Sequence, residues 1–192
     1  MIKNRCLCAI YLITLLFSCN QKNHISNEEI VFNFKNQNWE SNRITQFIND
    51  INYSATEVPL NYYLLKNLDG NIAKVDSVST LNQRERIIEF EFQHVENSDL
   101  LQSQHTNLNY EDAIKYIAFK LEKDFKVITS SNDTIPCIGA HFERNFKVAP
   151  YKKLILYFNN INPNESLKLV YNDYLFNNGV LKFNFQEKPI KL

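Results

Sequence analysis

The C-terminal third of the chain constrains the fold most strongly, because apolar and polar residues alternate through most of it. Such alternation is typical of β-strands whose two faces meet different environments. It predicts four strands, over 138–148, 153–159, 167–176 and 180–186. The segment 153–159 carries apolar residues on both faces, so we expect it to be a central strand of its sheet.

The dipeptide Asn178-Gly179 predicts a hairpin between the last two of these strands. Asn-Gly is typical of a two-residue type I′ turn. A two-residue loop pairs Phe176 with Leu181 and thereby fixes which residues share a face. In this register Asp173 lies on the face opposite to the aromatic residues of the hairpin.

Segments upstream add further strands and two helices. Strands are predicted over 29–35, 62–68, 71–78 and 87–95, the middle two forming a hairpin around Asp69-Gly70. Helices are predicted over 40–51 and 109–124, where apolar residues recur at helical spacing. Asn109 is expected to cap the second helix. The sequence therefore predicts one α+β domain over 29–192, with an antiparallel-rich system of about eight or nine strands packed by two helices.

Glycine is scarce, at three residues, whereas asparagine is frequent and often occurs in pairs. Asparagine tolerates the left-handed region of backbone conformation and forms hydrogen bonds within its own turn. We therefore expect asparagine to occupy turn positions that glycine takes in other proteins. With so few glycines, a glycine-rich cofactor loop is excluded, and we expect no cofactor.

The first residues have the layout of an export signal. Lys3 and Arg5 form a basic start, and the apolar run 7–17 follows without a charge. Eleven helical residues rise about 16 Å, well short of the roughly 30 Å hydrocarbon core of a membrane. The segment is thus expected to act as a signal peptide and not as a permanent span.

The end of this segment resembles the lipobox of bacterial lipoproteins, with Leu16 at −3, Ser18 at −1 and Cys19 at +1. Phe17 at −2 differs from the residue most common there. The resemblance implies cleavage between Ser18 and Cys19 and acylation of Cys19, which would anchor the protein in the lipid bilayer. It divides the chain into a signal peptide (1–18), a lipidated cysteine with a polar tether (19–28) and the folded domain (29–192).

The tether indicates where the anchored domain resides. Asn20 at position +2 is not the aspartate that retains lipoproteins in the inner membrane, and no acidic run follows over 21–24. The Asn-rich chain is similar to envelope lipoproteins of Bacteroidota, in which an acidic run often marks surface display. The resemblance implies the periplasmic face of the outer membrane.

Charge and cysteine content exclude several classes of function. The 21 basic residues balance the 21 acidic ones, and loss of Lys3 and Arg5 with the signal leaves a small acidic excess. A nucleic-acid partner would need a basic face, so none is expected. Cys137 is the only cysteine left after signal removal and lipidation, which excludes an internal disulfide. We interpret it as a small apolar core residue, with a role as nucleophile second.

One stretch carries candidate chemistry, namely His141, Glu143 and Arg144. On a strand His141 and Glu143 share one face, and such a pair could act in acid–base catalysis or bind a metal. The other histidines lack ligand spacing, so no metal site is predicted. Arg144 falls in phase with apolar residues, and we interpret it as a buried, paired charge first and an anion-binding group second.

No catalytic motif is present, so we expect a protein that is not an enzyme. The leading hypothesis is an envelope lipoprotein that binds a protein partner or ligand near the bilayer. One alternative is an immunity-type lipoprotein that neutralises a toxin delivered to the periplasm. The other is a periplasmic hydrolase that uses the His141 and Glu143 face.

Overall fold

A computed structural model describes residues 42–68, 71–143 and 149–185, all within one compact unit of the chain. Within these ranges nine strands form two sheets in which every pairing is antiparallel. In chain order they are β1 (Asn42–Ile48), β2 (Ile51–Val58), β3 (Arg86–His94), β4 (Phe125–Thr129), β5 (Thr134–Pro136), β6 (Gly139–Glu143), β7 (Lys152–Phe158), β8 (Leu167–Asp173) and β9 (Gly179–Asn184).

Three α-helices occur in the same ranges. They are α1 (Leu60–Asn67), α2 (Ile72–Leu81) and α3 (Tyr110–Phe119). A 3₁₀ turn, Leu121–Asp124, follows α3 and leads directly into β4. No helix of the described ranges is both long and apolar enough to cross a membrane.

The two sheets face each other across the main hydrophobic core. The five-stranded sheet has the order β1-β2-β3-β7-β6, and the four-stranded sheet has the order β5-β4-β8-β9. The Phe90 ring of the first sheet lies 4.9 Å from Phe125, 5.1 Å from Tyr171 and 5.6 Å from Phe183 of the second sheet, centroid to centroid. Ile117 of α3 belongs to the same buried cluster. The α+β class and the antiparallel strands are as predicted.

Several predicted elements are confirmed. The strand predicted over 87–95 is β3, and the four C-terminal strands are β6 to β9 in order. The strand predicted to be central, β7, lies between β3 and β6. Asn109 caps α3 as predicted, since its Oδ1 accepts a hydrogen bond of 2.9 Å from the Asp112 amide. The strand predicted over 29–35 lies outside the described residues.

The helix predicted over 40–51 is wrong. Its described part, 42–51, forms β1 and the start of β2, which are joined by a tight turn at Asn49 and Asp50. Both turn residues adopt left-handed conformations, with φ of 46° and 62°. Residues of this type tolerate that region, and a turn there ends any helix. The helical spacing of the apolar residues in this stretch is therefore fortuitous.

The hairpin predicted over 62–78 is also wrong, because both of its arms are helical. Pro59 precedes α1 and restricts its own φ to a value compatible with a helix start. The Asn71 side chain accepts a hydrogen bond of 3.1 Å from the Lys74 amide and so caps α2. These two helix-start signals outweigh the weak alternation on which the hairpin prediction rested.

The hairpin between β8 and β9 exists, but its predicted register is wrong. Its loop has five residues, 174–178, and Asp173 pairs with Gly179. Asp173 therefore points into the core, where only 2% of its surface is exposed, and not to the opposite face. Its Oδ1 accepts a hydrogen bond of 2.9 Å from the Phe176 amide, and Asn177 takes a left-handed conformation. These two features close the longer loop.

The expectation that asparagine replaces glycine in turns is confirmed. Among the described residues, the positions with positive φ other than glycine are five asparagines and one aspartate. They are Asn49, Asp50, Asn97, Asn132, Asn160 and Asn177. The single described glycine with positive φ is Gly179, at 76°. Asparagine thus supplies the left-handed backbone at most turns of this fold.

Candidate functional site

The structure places two of the three predicted site residues together and leaves the third outside the described residues. His141 and Glu143 lie on β6 with their side chains on the outer face of the five-stranded sheet. The alternate residues of the strand, Ala140 and Phe142, pack against the core on the other face. Arg144 lies outside the described residues, as do Ser18 and Cys19. The predicted lipidation and cleavage positions therefore stay predictions.

Glu143 belongs to a chain of charged groups that crosses the outer face. Across the strands it pairs in register with Lys153, whose Nζ lies 3.8 Å from Glu143 Oε2. The same Nζ lies 2.9 Å from Glu89 Oε2. Glu89 in turn accepts a hydrogen bond from the Tyr63 hydroxyl of α1. One lysine thus joins two carboxylates. This link leaves no signal in the sequence, because the residues are far apart along the chain.

The electrostatics of this series of charged groups favour the charged form of Lys153 and the neutral form of Tyr63. Burial alone would lower the pKa of Lys153, but the hydrogen bond and charge of Glu89, with the charges of Glu143 and Glu91, outweigh it and raise the pKa. The pKa of Tyr63 is raised by burial first and then by Glu89. Neither group is prepared to act as a base near neutral pH.

His141 does not belong to this series of charged groups. It is exposed and faces Ile155 across the strand pair, whereas Glu143 faces Lys153. Among the described residues, no hydrogen bond or ion pair links His141 to Glu143. The pair therefore shares a face without forming a hydrogen-bonded dyad.

Four residues around β6 define a surface that we call the β6 edge surface. They are Ile138, His141, Glu143 and Tyr157, of which Ile138 is 55% and Tyr157 38% exposed. Ile138 and Tyr157 are linked by a backbone hydrogen bond of 3.0 Å. In the described part of the chain β6 pairs with β7 alone, so it is an edge strand of its sheet, as is β1 at the opposite side. The surface combines exposed apolar groups, a carboxylate, an imidazole and a strand edge that pairs with no further strand among the described residues.

A second polar cluster lies inside the core, and we call it the core carboxylate cluster: Asp173, Tyr53, Tyr171 and Asn178. Tyr53 donates a 2.6 Å hydrogen bond to Asp173 Oδ2, and Tyr171 donates one of 3.0 Å to Oδ1. Asn178 Nδ2 donates to the Tyr53 hydroxyl at 2.7 Å. Asp173 forms no ion pair with another described residue. Within the described ranges, hydroxyl and amide donors therefore hold this carboxylate.

The pKa values in this cluster follow from burial. Burial raises the pKa of Tyr53, and the charge of Asp173 raises it further. The same two causes raise the pKa of Tyr171. Nearby, Asp124 accepts a hydrogen bond from Tyr116, and burial raises its pKa against the effect of that bond. The cluster is thus a set of neutral tyrosines around a buried acid, which suits a structural network.

The described histidines and Cys137 have local roles. The rings of His94 and His105 lie 4.7 Å apart, a contact that the sequence did not predict. Nevertheless, no group of three or more potential ligand residues converges on a metal position in the described ranges.

Cys137 is partly buried, and its Sγ donates a hydrogen bond to the Gly139 carbonyl at 3.1 Å. Burial raises the pKa of its thiol. A raised pKa disfavours a nucleophilic thiolate.

No protein-family model matches the chain, and no curated protein matches it. Among solved structures, the chain is similar to a crystal structure of a novel protein of unknown function from Burkholderia pseudomallei. The TM-score is 0.34 and the sequence identity 10%, over 84% of this chain and 92% of that one. A likeness this distant carries no argument about function.

Proposed function

We propose that this chain is an envelope lipoprotein, anchored through acylated Cys19 at the periplasmic face of the outer membrane. The support is the basic, apolar and lipobox-like sequence of the first nineteen residues. Several acyl chains on this one cysteine would hold the protein firmly at the bilayer. The polar tether over 20–27, at most roughly 28 Å when extended, would keep the domain near the lipid surface.

We further propose that the domain is a non-enzymatic binding module that meets a protein partner through the β6 edge surface. The observation that carries this proposal is the outermost position of β6 beside exposed Ile138 and Tyr157. An open strand edge offers backbone donors and acceptors to a partner strand. Flanking apolar and aromatic side chains add the contact area that protein interfaces use. His141 and Glu143 would then act in recognition and not in catalysis.

Two features support binding over hydrolysis. Lys153 engages Glu143, and the exposed His141 faces Ile155, so the two groups do not form an acid–base dyad. We also infer that the α1–α2 pair packs on the outer face of the five-stranded sheet, since the Tyr63 hydroxyl meets Glu89 there. That packing covers the middle of the sheet and leaves the exposed groups at the β6 side for a partner.

The anchor is tested by growing cells with a fatty acid that carries a detectable label. The wild-type chain should take up the label, and Cys19→Ala should take up none and stay uncleaved. A labelled Cys19→Ala protein would contradict the anchor. This outcome is separate from the binding proposal, which concerns the folded domain alone.

The binding surface is tested by placing a photo-crosslinking amino acid at position 141 in living cells. Position 180 on β9 is the control, since Val180 is 59% exposed on the other sheet. Defined adducts should form from position 141 and be lost on Ile138→Asp, whereas Val180→Asp should leave them unchanged. If the adduct contains a toxin encoded beside this protein, the immunity-type function is favoured. Adducts at position 180 alone would contradict the proposed surface.

A further inference from the structure

One end of the two sheets carries most of the strongly exposed apolar side chains. Seven large apolar side chains of the described residues are more than half exposed, and five of them belong to this end. They are Phe47, Val95, Phe119, Tyr174 and Val180. Single exposed apolar residues are common, but several at one end of a fold indicate a contact surface. The β6 edge surface uses none of them.

Hydrogen bonds and strand order bring these residues to the same end. The Asp50 carbonyl, in the turn between β1 and β2, accepts a hydrogen bond of 2.9 Å from the Val95 amide after β3. In the same turn Asn49 Nδ2 donates to Asn178 Oδ1 at 2.7 Å, in the β8–β9 loop that also carries Tyr174. The helix α3 ends here too, because the 3₁₀ turn after it leads into the start of β4, which pairs with the end of β8.

Two lysines accompany the most exposed aromatic residues of this end. Phe119 and Tyr174 are 74% and 69% exposed. Lys120 and Lys123 follow Phe119 directly, are exposed, and form no ion pair within the described ranges. We call Phe119, Lys120, Lys123 and Tyr174 the α3 end patch. It combines two aromatic rings with two positive charges that are available to a partner.

The acidic residues of this end lie away from the α3 end patch. Asp50 and Glu96 are exposed, but they belong to the turns after β1 and β3 of the other sheet. Glu122 lies between the two lysines in sequence and is half-buried. Burial first and the Glu122 charge after it raise the pKa of the Cys137 thiol, so this carboxylate lies toward the β5–β6 segment. The charge beside the aromatic pair is therefore positive.

This composition suits a lipid surface better than a protein partner. Lysine is depleted in protein–protein interfaces. Aromatic residues beside lysines are typical of protein surfaces at the lipid–water boundary. There the rings lie among the headgroups, while the flexible ammonium groups meet lipid phosphates. A tyrosine can bury its ring in this layer and keep its hydroxyl in water.

From these features we propose that the α3 end patch contacts the surface of the bilayer that holds Cys19. Phe119 and Tyr174 lie among the headgroups, and the two lysines bind the phosphates of anionic phospholipids. This inference rests on the proposed lipid anchor, which keeps the domain close to the membrane. It adds a defined orientation, in which this end of the sheets faces the lipid.

The length of the chain before β1 permits this orientation. β1 begins at Asn42, at the end of the sheets opposite to the α3 end patch. The segment 20–41 separates Asn42 from Cys19 and can span at most roughly 77 Å. The longest strand, β3, rises only about 30 Å over its nine residues. The domain can therefore turn its far end to the bilayer without straining the tether.

The test uses the acylated full-length protein, purified from cells and placed in vesicles of phosphatidylethanolamine and phosphatidylglycerol. A genetically encoded fluorescent amino acid replaces Phe119 in one protein. In the control protein it replaces Leu81, which is 84% exposed and lies just before β3, at the opposite end. Nitroxide-labelled lipid should quench the probe at position 119 and spare the one at position 81. Iodide in the buffer should quench mainly the probe at position 81.

The outcomes separate this inference from the anchor. If acylated protein stays on the vesicles but the two probes respond alike, the orientation is overturned and the anchor stands. Shielding of position 119 from iodide without quenching by lipid would indicate contact with a second copy and would also overturn the orientation. Purified protein without acyl chains would contradict the anchor and this inference together.

The lysines of the patch are tested on the same probe. Lys120→Gln with Lys123→Gln should lower the ratio of lipid-bound to free patch about fivefold for each lysine on the anionic vesicles. The double change should have little effect on vesicles of phosphatidylcholine alone. Arg84→Gln with Lys168→Gln removes two positive charges from the opposite end and should behave as wild type. Equal effects of the two double variants would overturn the proposed role of the patch.

Discussion

The core carboxylate cluster and the β6 edge surface each contain a carboxylate, but the two are held in different ways. In the core, Asp173 is 2% exposed and is held by the Tyr53 and Tyr171 hydroxyls and the Phe176 amide. At the edge, the Glu143 side chain is 39% exposed and meets Lys153 at 3.8 Å. The first carboxylate has short, directed hydrogen bonds and the second has a looser charge pair.

This difference separates groups that stabilise the fold from groups that are available for other contacts. A buried charge held by several donors is costly to disturb, because removing one side leaves polar groups without partners. A half-exposed pair contributes little to stability and its groups can exchange partners with water or protein. The comparison therefore predicts that the core cluster governs stability, while the β6 edge surface can change without loss of the fold.

The largest effect is expected at high pH, from the tyrosines of the core cluster. Tyr53 and Tyr171 have pKa values raised above those of the unfolded chain, by burial first and then by Asp173. The folded state thus keeps protons that the unfolded state loses above about pH 10, so stability falls as pH rises. The loss from each tyrosine reaches about 1.4 kcal/mol at pH 11, so the pair removes about 3 kcal/mol there. Urea unfolding from pH 8 to pH 11 measures it.

Tyr53→Phe combined with Tyr171→Phe is the control for this alkaline effect. The double variant should be less stable than wild type at pH 8, and its stability should fall less steeply above pH 10. An equally steep fall in the double variant would place the alkaline loss outside the core cluster.

An effect of similar size is expected at pH 7 from Asp173 itself. Asp173→Ala removes the acceptor of two tyrosine hydroxyls and one amide, and should cost about 3 kcal/mol or more. The matched change at the exposed Asp133, Asp133→Ala, should cost less than about 0.5 kcal/mol. Chemical unfolding at pH 7 measures both. Similar losses in the two variants would remove the contrast between buried and exposed carboxylates.

A smaller effect is expected on the outer face, where two ion pairs differ in exposure. The side chains of Lys153 and Glu89 are 18% and 15% exposed, whereas the Arg43 side chain, which meets Glu91 at 2.8 Å, is 54% exposed. Double-mutant cycles should give a coupling of about 1 kcal/mol for the first pair and about 0.3 kcal/mol for the second. The reverse order would show that exposure does not set the strength of these pairs.

Local signals in the sequence predicted part of this fold well. The alternation in β3, the apolar run of β7 and the cap at Asn109 depend on neighbouring residues, so the sequence alone reveals them. The helix predicted over 40–51 failed because the turn at Asn49 and Asp50 outweighed apolar spacing that suits a helix. The β8–β9 register failed because Asp173 and Asn177 close a five-residue loop before Asn178-Gly179 can form a two-residue turn.

The candidate site was predicted only in part, for a related reason. The alternation on β6 showed that His141 and Glu143 share a face. It could not show that Lys153 and Glu89 complete the chain of charges, because strand pairing brings these residues together. The ion pair between Asp99 and Lys152 was missed for the same cause, as 53 positions separate the two residues. Tertiary contacts of this kind leave no local pattern.

The separation between core cluster and β6 edge surface is tested most directly by measuring melting temperature and crosslinking from position 141 on the same two variants. Tyr53→Phe should lower the melting temperature by about 2–4 °C or more and keep the adduct. Ile138→Asp should leave the melting temperature within about 1 °C of wild type and abolish the adduct. An Ile138→Asp protein that keeps the adduct, or a folded Tyr53→Phe protein that loses it, would contradict the separation.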